Sequence, residues 1–402
     1  MTQSNAELTG HNRLRAGLQE FNFRDWSHPM RVNPGPCALS LVLCSLVIGC
    51  GDSSKSNEGA AIGGTANAGG GEATGGSGSD ATGGTGPGAV SAKCSNLPPA
   101  RGGGGIAKPT GTAGNLRVVD WAGYTGAVSF TFDDQSESQM AAYPTLNALG
   151  VKYTFYVVSG WGLTKPNLVQ AAKDGHEIGN HTSTHSQSTI TDTAIDDCTS
   201  EIQAKLGVTP YTFAAPYGTN GSAGWEQYAK SRFIIDRGIT NGLMKPNDSI
   251  NQWNLLCYIP PEEASASTMQ QQILAAQTGG GWKVVLVHGF TTHSDGAWQP
   301  VAVPEFTATV EYAKSLGDLW IDTVRNIGSY WVGQKLVTKA TPTTTGSDTV
   351  YSWEWPDFYP PESCVRVTVD GGTLLQNGAP LQWDEHGYYE VSLNAGSLTL
   401  SP

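Results

Sequence analysis

Between residues 115 and 339, short apolar runs alternate with stretches whose apolar residues return every three or four positions. The runs that read as strands are 127–132, 152–158, 176–180, 211–214, 233–236, 283–287 and 319–323. A helix is expected after Thr191: Thr191 or Asp192 can cap it, and Ala194, Ile195, Cys198, Ile202 and Leu206 recur at helical spacing before Gly207 ends it. Another helix covers 303–315. Strands and helices in alternation predict the α/β class, and no internal repeat stands out.

The texture changes at both ends. Beyond a Thr-rich link at 341–345, the runs 365–369, 373–375 and 388–393 alternate apolar with polar residues, and turns fall at Asp370-Gly371-Gly372 and Asn377-Gly378. This predicts a small β module over 346–402. Its aromatics, Trp353, Trp355, Tyr359, Trp383 and Tyr388, suit either a glycan-binding platform or plain packing. Upstream, 51–92 collapse to Gly, Ala, Thr, Ser and Asn, and a further glycine run occupies 102–105. The whole of 51–114 therefore reads as a flexible tether, with order expected from about Asn115 through 340.

Residues 37–50 are apolar but short for a membrane span, and they fit the core of an export signal within an N-terminal extension over 1–50. The signal ends Leu46-Val47-Ile48-Gly49-Cys50, which resembles a bacterial lipobox, so Cys50 is the expected lipid anchor and the membrane is engaged there only. Met30-Arg31 just before the apolar run is a candidate true start. The protein is thus expected outside the cytoplasm, as a cell-envelope lipoprotein or a secreted protein. Cys94, Cys198, Cys257 and Cys364 then allow three disulfide pairings, with Cys198 equally suited to an unpaired core thiol.

A formal net charge of -12 argues against nucleic acid as a partner, whereas a neutral or cationic glycan fits it. The 12 tryptophans and 14 tyrosines offer flat faces for sugars, although most such residues serve cores.

The chemistry sits at strand ends. The run 127–132 stops at Asp133-Asp134, and His181-Thr182-Ser183-Thr184-His185 follows 176–180. Pro216-Tyr217-Gly218 follows 211–214, and His288 follows 283–287. In a barrel of parallel strands these ends gather on one face. An Asp-Asp pair alone is usually a turn or cap, and His-x₃-His alone is usually a helix surface. Together, and in this order, they suit a divalent metal held by two imidazoles and a carboxylate, with a second carboxylate left as base. His176 reads as structural, and His293 is a weaker competitor to His288.

Over 119–337 the chain resembles the polysaccharide deacetylase family, the NodB-homology carbohydrate esterases. Thr131-Phe132-Asp133-Asp134 is similar to that family's first motif and His181-Thr182-Ser183-Thr184-His185 to its second. Phe213-Ala214-Ala215-Pro216-Tyr217-Gly218 is similar to the third and Leu286-Val287-His288-Gly289 to the last. The resemblance implies a distorted, incomplete (β/α) barrel with an open groove. It also implies Asp134, His181 and His185 as metal ligands, Asp133 as base, His288 as acid and the Tyr217 N–H as an oxyanion donor. Zinc is the default metal, with cobalt, nickel or manganese able to use the same ligands.

One departure is clear. The arginine that often opens the third motif is Ala214 here, and the fourth motif is replaced by Asp236-Arg237-Gly238, with Trp253 further on. Arg237 is therefore expected to supply the missing charge beside Asp133. The function implied is metal-dependent removal of acetyl groups from a polysaccharide by attack of metal-activated water, with the protein a monomer. N-acetylglucosamine-type glycans are favoured slightly over acetyl xylan. The rival from another class is a catalytically silent glycan-binding protein, against which the intact acidic pair and both histidines argue. A metalloprotease is disfavoured because H-E-x-x-H is absent.

Overall fold

The computed structural model describes residues 93–218 and 225–402, so the expected export signal, Cys50 and most of the expected tether lie outside the described residues. The elements of the first part, in chain order, are β1 (Arg117–Val118), β2 (Gly126–Asp133), α1 (Glu137–Asn147), β3 (Thr154–Val157), α2 (Pro166–Lys173), β4 (Glu177–Asn180), α3 (Asp192–Leu206) and β5 (Thr212–Ala214). There follow α4 (Trp225–Lys230), β6 (Ile235–Arg237), α5 (Ala266–Gly279), β7 (Trp282–Val287), α6 (Val303–Ser315), β8 (Leu319–Ile321) and α7 (Val324–Lys339).

Strand β2 organises the sheet. All eight of its residues are buried, including Ser129, Thr131 and Asp133, which alternate with Val128, Phe130 and Phe132: both faces meet protein. One edge pairs with β7 along 127–132; the other is shared, with β8 at 126–128 and β3 at 131–133. The strands run parallel in the order β6-β5-β4-β3-β2-β7. Between β6 and β7 the ring is closed by the irregular stretch 255–258. Leu255 N donates to Asp236 O at 2.9 Å, Gly238 N to Leu255 O at 2.9 Å, Tyr258 N to Val284 O at 2.9 Å and Leu286 N to Tyr258 O at 2.9 Å. The result is the expected distorted (β/α) barrel, incomplete in regular strands but continuous in hydrogen bonds.

Two local expectations are met residue for residue. The Thr191 hydroxyl accepts from Ala194 N at 3.1 Å at the start of α3, and Gly207 ends it at φ 71°. Helix α6 begins and ends where its periodicity does.

The remaining strands are β9 (Thr343–Thr345), β10 (Asp348–Ser352), β11 (Cys364–Thr368), β12 (Thr373–Gln376), β13 (Ala379–Pro380), β14 (Trp383–Asp384), β15 (Tyr388–Ser392) and β16 (Ser397–Ser401). They form two antiparallel sheets, ordered β1-β11-β15-β14 and β13-β12-β16-β10-β9. Val365, Val367 and Val391 from one sheet and Leu374, Leu398 and Leu400 from the other share a core with Trp331, Ile327 and Val324 of α7 and with Trp282 of the barrel. The β module and the barrel are therefore joined through α7.

The expectation that order begins near Asn115 is corrected. Cys94 is disulfide-bonded to Cys364, and the Asn96 side chain accepts from Cys364 N at 2.9 Å while donating to its carbonyl at 3.2 Å. Ile106 N donates to Glu385 O at 2.8 Å and Gly111 N to Asp370 O at 3.0 Å; β1 then becomes an edge strand of the module. This strap escaped notice because backbone bonds, the Asn96 side chain and one disulfide hold it, and these leave no apolar pattern. Of the two readings of the module's aromatics, packing is the one its geometry supports: Trp355, Tyr359 and Tyr388 are buried, and the part-buried indoles of Trp353 and Trp383 donate to Leu393 O and Ile106 O at 2.8 Å each. Cys198 and Cys257 are unpaired and buried.

His176 is structural, as expected. Its Nδ1 accepts from Tyr153 N at 3.0 Å, its Nε2 lies 3.0 Å from Asn147 Oδ1, and its ring stacks on Tyr153. Burial, helped by Lys152 and opposed by Asp174, lowers its pKa from 6.5 to about 4. The folded ring thus refuses a proton that the unfolded chain accepts. Its contribution is whole above pH 6.5 and is lost as pH falls toward 4. In His176→Gln the dependence of unfolding free energy on pH in that window should flatten by up to about 1.4 kcal/mol per pH unit. Denaturant titrations at stepped pH check this; an unchanged slope would show that the ring titrates alike in both states.

Candidate functional site

The site is built from turns that leave the strands. After Asp133 ends β2, Asp134 and Gln135 both take left-handed backbone, with φ 76° and 39°. Asp134 N donates to Tyr156 O at 3.1 Å. The Gln135 amide brackets Val158, donating to its carbonyl at 2.7 Å and accepting from its N–H at 2.8 Å. The His-x₃-His segment is a turn as well, with Thr182 at φ 66° and His185 at φ 50°. Thr182 N donates to Asn180 Oδ1 at 2.8 Å, and His185 N donates to the Thr182 hydroxyl at 3.0 Å. Asn180 is in turn held by Ile195 O and the Thr199 hydroxyl of α3. Left-handed backbone at a β-branched residue costs on the order of 1–3 kcal/mol and persists only where its surroundings enforce it.

These turns bring Asp134, His181 and His185 together, with their ligand atoms all within 4.8 Å of one another. Among the described residues this is the one such group. Asp134 Oδ1 lies 3.5 Å from His181 Nε2 and 3.3 Å from His185 Nε2. His181 Nδ1 donates to Ala214 O at 2.6 Å, which leaves the Nε2 lone pair facing the cluster. Asp134 Oδ1 is buried without a hydrogen-bond donor. Burial works to raise the Asp134 pKa, but His185, His181 and His288 together outweigh it and bring it to about 2. An anionic oxygen with no donor, beside one imidazole that turns its lone pair to it and a second 3.3 Å away, fits a divalent cation. These three side chains would hold it.

Asp133 lies beside the cluster. Its Oδ2 accepts from Arg237 Nη2, and both residues are buried. Its Oδ1 is buried and has no partner. In the ladder between β5 and β6, Arg237 stands directly opposite Ala214. The cation missing from one strand thus arrives from the neighbouring residue across the sheet. The guanidinium lies 5.2 Å from the centre of the Tyr156 ring and donates to Gly238 O at 3.2 Å. Gly179 makes room for that ring, since a Cβ there would come within 2.5 Å of it. Burial opposes the Arg237 charge, but Asp133 outweighs it and the pKa rises above its ordinary value.

His288, at the end of β7, has its Nε2 4.0 Å from Asp133 Oδ2. Burial lowers its pKa, against the pull of Asp133 and Asp134. Tyr217 takes φ 59°, and its exposed ring lies 4.7 Å from that of His185. All seven expected residues line one cavity of about 470 Å³.

Sequence reading missed several supporting groups. Gln139 Nε2 donates to both Asp133 O and His288 O, tying together the strand ends that carry them. Its signal was present: Ser136 and Gln139 have capping-box spacing, and the Ser136 hydroxyl accepts from Gln139 N at 3.3 Å. Trp161 and Trp298 stand at the cavity mouth on loops that carry no periodic signal.

Residues 124–232 match the sequence profile of the family described as polysaccharide deacetylase. Over this stretch the chain is similar to that family. The match includes both acidic residues, both metal-site histidines and Tyr217; Arg237 and His288 lie beyond it. A gellan lyase from Bacillus sp is 32% identical over 214 residues, covering 46% of this chain but 8% of that protein. The Bacillus subtilis (strain 168) protein YlxY is 35% identical over 82 residues, 19% of this chain and 26% of its own length. The chain therefore spans only a small part of either relative. Among solved structures, a polysaccharide deacetylase from Mycobacterium smegmatis, itself described as putative, aligns at 17% identity and TM-score 0.41, covering 60% of this chain and 98% of that one. A family 4 acetyl xylan esterase from Clostridium thermocellum aligns at 22% identity and TM-score 0.35, covering 50% and 89%.

Truncating one member of a buried ion pair leaves the other charge stranded, at a cost of about 3–5 kcal/mol. Arg237→Met should therefore destabilise the fold by about that much, and Asp133→Leu added to it should recover a large part. Denaturant unfolding of the two single variants and the double variant measures the coupling. Simple additivity would mean that the pair contributes no mutual stabilisation.

Proposed function

We propose that the protein is a metal-dependent hydrolase that removes acetyl groups from a polysaccharide. The observation that carries this reading is the convergence of Asp134, His181 and His185 within 4.8 Å, with Asp133 beside them holding one oxygen free. A divalent cation bound there, zinc by default, supplies Lewis acidity that polarises the acetyl carbonyl and acidifies water.

The chain's own residues divide the remaining work. Asp133 is the base: Oδ1 takes the proton of the attacking water, while Arg237 on Oδ2 keeps the carboxylate from rotating. The Tyr217 N–H, offered from a left-handed turn, donates to the oxygen on which negative charge develops. His288 Nε2 gives a proton to the departing amine or alkoxide, and burial makes its imidazolium a stronger acid than the free side chain. The exposed Tyr217 and Trp298 and the neutral lining residues Ile239 and Leu286 suit a neutral sugar. N-acetylglucosamine-type glycans are the first choice of substrate and acetyl xylan the second.

Acetate release from a panel of N- and O-acetylated glycans should stop on chelation and return with zinc. Asp133→Asn should lower the rate by about 10²–10⁴-fold while zinc still binds in a calorimeter. Glycan binding without chelator-sensitive acetate release would favour the silent binding protein instead.

The same reading has the protein exported and anchored through Cys50, supported by the apolar run 37–50 and by the Cys94–Cys364 disulfide, which suits an oxidising compartment. Labelled palmitate should enter the parent protein in cells and not Cys50→Ser. Equal labelling of the two would remove the anchor from this account.

A further inference from the structure

The two groups assigned to proton transfer are held in unlike ways. Asp133 stands opposite Tyr156 in the ladder between β2 and β3, and Arg237 pins its carboxylate. His288 has already left β7, and its Nδ1 is buried without a hydrogen-bond partner among the described residues. His181, by contrast, is oriented through Nδ1 by Ala214 O. With no such bond to aim it, the His288 ring takes its direction from its backbone and from contact with the Trp298 ring.

That backbone is fastened to the first turn of α1. Gln139 Nε2 donates to His288 O at 2.8 Å and also to Asp133 O. The Ser138 hydroxyl accepts from Phe290 N at 2.9 Å, and Ser138 N donates to Asp295 Oδ2 at 2.7 Å. Between these points Gly289 presses on the turn, since a Cβ there would fall 2.7 Å from Ser138 Oγ and 2.3 Å from the Ala297 Cβ. The loop is closed at its base by Thr291 N donating to Val301 O at 3.0 Å and Val301 N to Gly289 O at 3.2 Å. Ser138, Gln139 and Phe290 are wholly buried. Gln139 Oε1 is buried too and meets no donor among the described residues. A buried amide satisfied on one side only is a poor stabiliser. What its two bonds do is fix the separation of residues 133 and 288.

We infer that Gln139 is a positioning residue for the proton donor: by joining the two carbonyls it keeps His288 Nε2 where the leaving group departs. This rests on the deacetylase reading of the site. In the step concerned, the bond from the acetyl carbon to the sugar nitrogen or oxygen breaks, and its electron pair stays on the departing atom. The His288 Nε2 proton joins that pair, leaving a neutral imidazole and an amine or alcohol. A strongly basic leaving group needs that proton, whereas a nitrophenolate departs without it.

The test uses the full chain with Gln139→Met, which keeps length and burial but cannot donate, and Ser138→Ala, which frees Phe290 N. Ser265→Ala removes the cap of α5, away from the site, and controls for lost stability. Acetate release is followed at saturating zinc from N-acetylated chito-oligosaccharides, O-acetylated xylo-oligosaccharides and nitrophenyl acetate. On the oligosaccharides Gln139→Met should lose about 10²-fold in kcat with KM within about twofold of the parent's. On nitrophenyl acetate it should lose less than about threefold. Ser138→Ala should show the same contrast at about tenfold, and the control should match the parent throughout. Equal losses on both kinds of substrate, or no loss on either, would overturn the inference. Amide hydrogen exchange reads the clamp without turnover: 287–291 should exchange faster in Gln139→Met while 181–185 keep the parent's rate. A parent that releases no acetate from any oligosaccharide removes the deacetylase reading. Exchange then decides alone: faster exchange confined to 287–291 upholds the clamp, and unchanged exchange sinks it.

Discussion

Inside the barrel an arginine and an aspartate, each almost wholly buried, face one another across the gap between β6 and β2. Neither charge is tolerable there without the other. The surroundings of the arginine offer it no second anion. Burial pushes the neighbouring Asp236 carboxyl well above the usual carboxylate range, which favours its neutral form, and pushes the Cys257 thiol up to about 12. Arg237 therefore has one anion to meet, and Asp133 is held in one orientation. That requirement reaches into the fold: β6 must stay in register with β5, the stretch 255–258 must close the ring, and Gly179 must leave space for the ring of Tyr156.

Around this pair the chain stores local strain. Asp134, Gln135, Thr182, His185 and Tyr217 all hold left-handed backbone, and all lie where a strand has just ended. A parallel barrel delivers its strands to one face but does not aim their side chains. The turns do the aiming, and a web of amide and hydroxyl contacts from Gln135, Gln139, Asn180 and Thr182 keeps them bent. Residues with no chemistry of their own thus determine where the chemical groups point.

What could be read from the sequence was what depends on nearby residues. Buried β2 showed as a strand-like run that stops at the acidic pair, α3 announced both its cap and its stop, and the clustering of Asp133, Asp134, His181, Tyr217 and His288 followed from their common place at strand ends. Arg237 was legible as the candidate to fill the vacancy at Ala214; the strand expected to end at 236 in fact includes it, and its exact seat opposite Ala214 needed the ladder register. The strap at 93–114 and the two mouth tryptophans were invisible for a related reason. The strap's disulfide partner is 270 residues away, and nothing periodic marks a segment held by its backbone or a ring left in solvent.

The strap has a practical meaning for dissection of the molecule. A piece cut to the family match at 124 would lose β1, bare the flank of β11, sever the link at Cys364 and open the apolar interior that α7 shares with both sheets. The interlocked portion is thus larger than the matched stretch, and it reaches back at least to the cysteine at 94.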